Sequence, residues 1–289
     1  MTETPQPRRR IDGFAVFWAA PAALWQGLFF AGPLIVLVSM SFWLVRNFRL
    51  TPALDWGNWE RMLSRDFFWS GYAYTSQMAL LVAVLASVIA FPVAHHLAFR
   101  ASPAVRRLAI FLLITPFFTS YLVRAYSWKI ILSTEGVLNV AFGWLGLGPF
   151  AMIDNAFGAV VGYLTLCLPL VIIIQYFALS AVDRSLIGAA HNLGCPPLKT
   201  TVTVTIPAAR IGLILAATFA FILSFGDYVA PTFLGGGTPP TMSILVVDQT
   251  KSGNHWPRAS VVAVTMVLTL VTVLFTALFA AYGRPGKKT

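Results

Sequence analysis

Long apolar runs separated by short polar connections dominate the chain. Six can be marked, over Phe14–Val45, Tyr72–Phe99, Leu108–Leu132, Phe157–Leu179, Ile211–Phe233 and Ala259–Tyr282. Each reaches or exceeds the roughly 20 residues that span a bilayer, and a lone spanning segment satisfies its own backbone only as a helix. The pattern predicts an all-α, polytopic membrane protein with six transmembrane helices. Phe14–Val45 is too long for one upright span, and Pro21 is placed to divide a leading piece from the membrane helix. Pro33, Pro92, Pro116 and Pro169 fall inside helical patterns and predict kinks, because proline lacks an N–H and crowds the carbonyl four residues back. The membrane domain is expected over 14–282, with tails at 1–13 and 283–289.

One connection breaks the rhythm. "DRSLIGAAHNLGCPPLKTTVTVTIPAAR", Asp183 to Arg210, is several times longer than the usual 2–8 residues between packed helices. Asp183 suits a helix N-cap, and Leu186, Ala190 and Leu193 follow at i, i+4 and i+7. Gly194 stands where a C′ glycine would, and Pro196-Pro197 stop the helix. A short amphipathic helix is expected, with Gly188, Ala189 and Ala190 small enough for another protein to approach closely. "TTVTVTIP" alternates like a strand, yet Leu198, Val202 and Ile206 also form a helical stripe. Periodicity leaves that half open.

Composition narrows the class. The 289 residues are 58% hydrophobic and 10% charged, against about 25% charged in soluble domains, and the mean hydropathy is +0.77. Cys167 and Cys195 are too few for a disulfide framework. The net charge of +10 reads as membrane orientation rather than nucleic-acid binding. With six spans, one side carries Arg8, Arg9, Arg10, Arg100, Arg106, Arg107, Arg184, Lys199, Arg210, Arg284, Lys287 and Lys288. The other carries Arg46, Arg49, Arg61, Arg65, Lys251 and Arg258. The positive-inside rule therefore predicts an inner-membrane protein with both termini and the 183–207 loop cytoplasmic. The apolar run after Arg10 is much longer than the roughly 7–15 residues of a signal-peptide core, so it is expected to be the first membrane helix.

Candidate chemistry centres on Asp227, in "FILSFGDYVAP". A carboxylate at bilayer depth costs about 2.5–3.5 kcal/mol on insertion scales, so it should face a cavity or a partner. Tyr228, Tyr163, Tyr121, Tyr126 and Trp128 supply aromatic faces suited to a cation, or to an interfacial belt. Arg124 and Lys129 are the candidate partners should Asp227 be ion-paired. His95 and His96 are adjacent and point to different helix faces, while His191 and His255 are isolated, so no metal site is expected. There is no Walker A pattern and no G-x-S-x-G, and Gly235-Gly236-Gly237 lacks the Lys-Ser/Thr of a phosphate loop. An enzyme is not expected.

Asp183, Leu186, Ala189-Ala190, Leu193-Gly194 and Ile206-Pro207 resemble the EAA motif of ABC-importer permeases. "PFFTSYLVRAYSWKIIL" (116–132), "VGYLTLCLPLVIII" (161–174) and "LSFGDYVAPTFLGGG" (223–237) resemble the spermidine/putrescine branch of that family. The resemblance implies a type I ABC importer permease fold and alternating access. It implies that Asp183, Leu186, Gly188, Ala189, Ala190, Leu193, Gly194 and Pro207 form a coupling element seated in a groove of an ATPase dimer. ATP and Mg would sit on that partner, with no cofactor on this chain. The other implied partners are a second homologous permease, as a heterodimer, and a periplasmic binding protein. The implied substrate is a polyamine, with Asp227, Tyr228, Tyr163, Tyr121, Arg124, Tyr126 and Trp128 along its pathway. The chain departs from the motif at Gly188, where a glutamate is usual, and at His191-Asn192, Thr201 and Thr203. An ion-coupled secondary transporter would instead show inverted repeats, and no such self-similarity is evident.

Overall fold

The computed structural model describes residues 13–46, 49–251 and 255–283. Apart from Gly13 and Gly283, the expected tails lie outside these residues.

The first span is α1 (Gly13–Gln26) and α2 (Gly32–Met40), joined through a π-helical turn over Gly27–Ala31. Pro21 sits inside α1 and does not divide it; the widened turn lies just ahead of Pro33 instead, where it relieves the proline's crowding. The helix ends at Met40 rather than Val45. Asn58 Nδ2 donates to the carbonyls of Ser41 and Trp43, and β1 (Leu44–Arg46) pairs antiparallel with β2 (Arg49–Thr51). A small hairpin thus interrupts the expected all-α chain outside the bundle. After α3 (Gly57–Leu63) comes α4 (Asp66–Phe99), unbroken through Pro92.

The third apolar segment is not one helix. α5 (Pro103–Ile114) tightens into a 3₁₀ turn at Thr115–Phe118 and stops, and α6 (Tyr121–Leu132) then α7 (Val137–Trp144) leave at 98° to it. The cause is local. Pro116 has no N–H to extend α5, and Thr119 turns both its N–H and its hydroxyl back to the Pro116 carbonyl. α8 (Ala156–Ser180) runs through Pro169, and α9 (Arg184–Asn192) is the short helix of the long connection. α10 (Pro197–Thr200), a π turn at Thr201–Thr205 and α11 (Ile206–Gly226) form one span. That span ends at Gly226, short of the expected Phe233, because Asp227 starts a separate helix, α12 (Val229–Phe233). α13 (Met242–Lys251) and α14 (Trp256–Tyr282) follow. The described residues therefore hold five unbroken helices long and apolar enough to cross a membrane, and a sixth crossing if the bent pair counts as one.

Small residues set the core. α4 buries Ala79, Ala83, Ala86, Ala90 and Ala94, and α11 buries Ala209, Ala216, Ala220 and Ser224. The first row recurs at three- and four-residue steps and the second at four- and seven-residue steps, so each forms a narrow stripe facing α8. Lipid offers apolar side chains as good a home as protein does, so such helices associate by close packing and internal hydrogen bonds. Gly212 marks the tightest approach of α11 to α8, since a Cβ there would collide with Ala178 Cβ. Bulky side chains lie outside: Phe14, Phe29 and Ile35 of the first span are all largely exposed.

Gly212→Leu is expected to destabilise the bundle by about 1–3 kcal/mol, the usual penalty of overpacking. Thermal unfolding in mild detergent would register it as a lower midpoint, partly recovered by Ala178→Gly. An unchanged midpoint would contradict the close approach.

Candidate functional site

Two regions carry the sequence-predicted residues. The first is the long connection. Asp183 caps α9, its Oδ1 accepting the Ser185 N–H at 2.8 Å. That bond holds the carboxyl below the usual carboxylate range. The cap's contribution is complete above the ordinary pKa of about 3.9 and is lost only as pH falls through the lower value, so it is constant near neutrality. Gly194 takes a positive φ of 76°, and the Gly194 and Cys195 N–H groups close the helix on the carbonyls of His191 and Ala190.

No residue of α9 is buried. Leu186 is 50% exposed and Leu193 88% exposed, Gly188 and Ala189 are exposed, and Ala190 is half-buried. A capped amphipathic helix whose leucines stay open to their surroundings is the signature of an interaction surface. "TTVTVT" is helical: Thr201 and Thr203 hydroxyls donate to the carbonyls of Pro197 and Lys199, each four residues back. Those bonds settle the alternation in favour of helix. Pro207 lies inside the continuous Pro197–Gly226 span, directly after the π turn at Thr201–Thr205, which widens the helix where the proline lacks an N–H.

The second region lies at the opposite end of α11. Asp227 Oδ1 accepts the Val229 N–H at 2.9 Å, and Oδ2 accepts the Ala230 N–H at 3.0 Å. The Tyr121 hydroxyl on α6 donates to Oδ2 at 2.7 Å. Asp227 thus caps α12 and ties it to α6. Its partners are not the cations expected from sequence: among the described residues neither Arg124 nor Lys129 forms a salt bridge with it. Arg124 lies 5.7 Å from the Tyr121 ring centre and donates its Nη1 to the Thr165 carbonyl at 3.1 Å. Thr165 is four residues before Pro169, so its carbonyl is the one that proline deprives of a partner. The same repair recurs at Pro231, where the Ser243 hydroxyl donates to the freed Asp227 carbonyl at 2.7 Å.

Tyr163 is fully buried on α8 within electrostatic reach of Asp227, and Tyr228 is half-buried beside the cap. Tyr126 and Trp128 stand apart. Tyr126 is half exposed with its ring against Phe233, and Trp128 packs on the cluster of Ala125, Leu132, Met152 and Leu234. Sequence reading missed three polar groups at helix–helix contacts. Cys167 Sγ meets Ser224 Oγ at 3.4 Å, Ser243 serves Pro231, and buried Gln175 donates to the Ser87 carbonyl, its Oε1 unpartnered. Their signal was available, because a serine or glutamine at a buried stripe position inside an apolar run needs a specific partner.

The Asp227 carboxylate has room for about four hydrogen bonds and uses three, so one acceptor position remains for an incoming donor. Tyr121→Phe is expected to cost about 1–3 kcal/mol, and Asp227→Ala to cost at least the roughly 0.5–2 kcal/mol of a lost cap. A double-mutant cycle by unfolding in detergent should return a coupling between them; strict additivity would contradict the bond. Arg124→Leu should destabilise the natural chain more than a Pro169→Ala background, where the restored N–H reclaims the Thr165 carbonyl. Equal losses in both would remove Arg124 from that role.

Comparison with known proteins identifies the family and the fold. Residues 83–284, well over half of the chain, match the family described as binding-protein-dependent transport system inner membrane component. The spermidine/putrescine transport system permease protein PotB of Escherichia coli (strain K12) is 28% identical over 250 residues, covering 84% of this chain and 89% of the relative. The inner membrane ABC transporter permease protein YdcU of the same strain is 27% identical over 286 residues, covering 90% of each. A crystal structure of a bacterial ABC transporter involved in the import of the acidic polysaccharide alginate superposes with a TM-score of 0.73 at 14% identity, covering 95% of this chain and 96% of the other. The fold is thus the type I permease fold of ABC importers. The chain belongs to the binding-protein-dependent transport system inner membrane components, and is a multi-pass permease subunit of an importer.

Proposed function

We propose that this chain forms half of the translocation pathway for a polyamine or related amine-bearing solute, and that ATP hydrolysis on a separate subunit drives it. The observation that carries the reading is α9: a nine-residue helix, capped at both ends, with no buried side chain and with Leu186 and Leu193 open. An ATPase dimer would receive that face, with ATP and Mg bound there and no cofactor on this chain. Closure of the dimer pulls on 183–207, and the continuous span from Pro197 to Gly226 passes the movement to the Asp227 end. Gly188 stands where the motif's glutamate would, and the space beside it is open, so that a Cβ there would meet nothing within 4 Å. Docking therefore rests on the apolar leucines and on Asp183.

The names of the relatives support the substrate class. The chemistry supports it too: Asp227, Tyr121, Tyr163 and Tyr228 combine one carboxylate with aromatic rings, which suits an ammonium. Arg124 donates to the Thr165 carbonyl, which fixes its place in the pathway wall. A second homologous permease supplies the other half, as a heterodimer. A periplasmic binding protein docks on the connections at 46–69, 133–155 and 234–256, and both termini lie in the cytoplasm.

Leu193→Asp is expected to abolish uptake and substrate-stimulated ATP hydrolysis while the chain still reaches the membrane; normal stimulation would refute the coupling role. Asp227→Asn, which keeps an acceptor for the α12 cap, is expected to weaken polyamine uptake while sparing assembly. Unchanged uptake would take Asp227 out of the pathway.

A further inference from the structure

A large cavity lies away from Asp227, at the end of the bundle that carries α9. It measures about 730 Å³ and sits between the last turns of α4 and the α9–α10 connection. Five basic side chains line it: His95, His96 and Arg100 from α4, and Arg184 and His191 from α9. Among the described residues no aspartate or glutamate joins them. The nearby Asp183 carboxylate is turned to the Ser185 N–H. Two guanidiniums, Arg100 and Arg184, with three imidazoles beside them and no counter-charge favour an anion.

The rest of the wall is largely apolar. Phe91, Pro92, Phe99 and Leu198 contribute to it, and the His95 ring lies 5.9 Å from Phe91 and 4.9 Å from Phe99. A second cavity of about 440 Å³ shares Phe91 with the first and lies along α4 and α11, lined by Val88, Leu213, Ile214 and Ala217 together with Ser87 and Gln175. Arg100 to Ser87 is thirteen residues of helix, or about 20 Å at 1.5 Å per residue. One leaflet of hydrocarbon is about 15 Å deep. A charged mouth at one end of an apolar slot of that length has the shape of a lipid.

We propose that this cleft binds an anionic phospholipid, its phosphate among Arg100, Arg184, His96 and His191 and one acyl chain in the slot between α4 and α11. A free phosphate shares the headgroup chemistry but leaves the slot unexplained, and an acidic side chain of a soluble partner does the same. Two positions where this chain departs from the EAA pattern, His191 and Thr201, line the cleft; one adds a base and the other removes bulk. Arg184 already reaches the Ala98 carbonyl of α4 at 3.4 Å. A phosphate bridging Arg100 to Arg184 and His191 would clamp the base of α9 to α4, and so tie the coupling helix to the composition of the membrane.

The test is lipid retention by the transporter assembled from native membranes and moved into nanodiscs of phosphatidylcholine, with and without phosphatidylglycerol, read by native mass spectrometry. Phosphatidylglycerol is expected to remain on the permease with roughly tenfold preference. His96→Gln with Arg100→Gln should abolish the preference, and Val88→Trp should reduce retention by filling the slot. Each single variant at His96 and Arg100 serves if the pair fails to assemble. Undiminished preference in these variants would overturn the proposal. So would displacement of the lipid by millimolar inorganic phosphate, which would assign the cleft to free phosphate. Loss of the bound ATPase subunit with the lipid still in place would overturn it in favour of protein docking.

Discussion

Every peptide group held at bilayer depth must find its hydrogen-bond partner inside the protein, because lipid offers none. In this chain the requirement is sharpest where prolines interrupt the hydrogen-bond ladder and where helices break. Pro169 strands the Thr165 carbonyl, and Arg124 answers it. Pro231 strands the Asp227 carbonyl, and Ser243 answers that one. The N-terminus of α12 is satisfied by the Asp227 carboxylate, which the Tyr121 hydroxyl then holds against α6. The polar groups of the candidate pathway are therefore the same groups that permit an irregular backbone there. The few polar and charged side chains inside the membrane converge on these breaks because the backbone there needs them.

The two ends of the long span from Pro197 to Gly226 divide the work. One end presents α9, capped at both ends and touching the bundle through Ile187 and through Arg184 at the Ala98 carbonyl. The other ends on Asp227, bonded to three groups from two helices. Between them the alanine and glycine stripes of α4, α8 and α11 pack closely, with Gly212 against Ala178, and such small side chains leave little slack for rotamer changes to absorb.

Much of this was legible in the sequence. Run length determined the membrane class, and Asp183, Gly194 and the paired prolines marked α9 within a residue or two of its ends, because capping chemistry is local. The resemblance to importer permeases agreed with the family later found. What stayed hidden depended on contacts distant in sequence. Leu108–Leu132 has the composition of one span, and only Pro116 with Thr119 hints that it breaks. Phe233 looked like the end of the fifth helix because α12 is as apolar as α11. Asp227 invited a search for a cation, whereas its partners are backbone N–H groups and a phenol more than a hundred residues away. "TTVTVT" could be read either way until its hydroxyls found the carbonyls of their own helix.

The most direct test is uptake of labelled spermidine and putrescine by proteoliposomes holding the complex purified from native membranes. Accumulation is expected only when ATP is supplied on the side of α9 and a loaded binding protein on the other. Uptake by this chain alone, driven by an ion gradient without ATP, would contradict the coupling of α9 to an ATPase and with it the proposed mechanism.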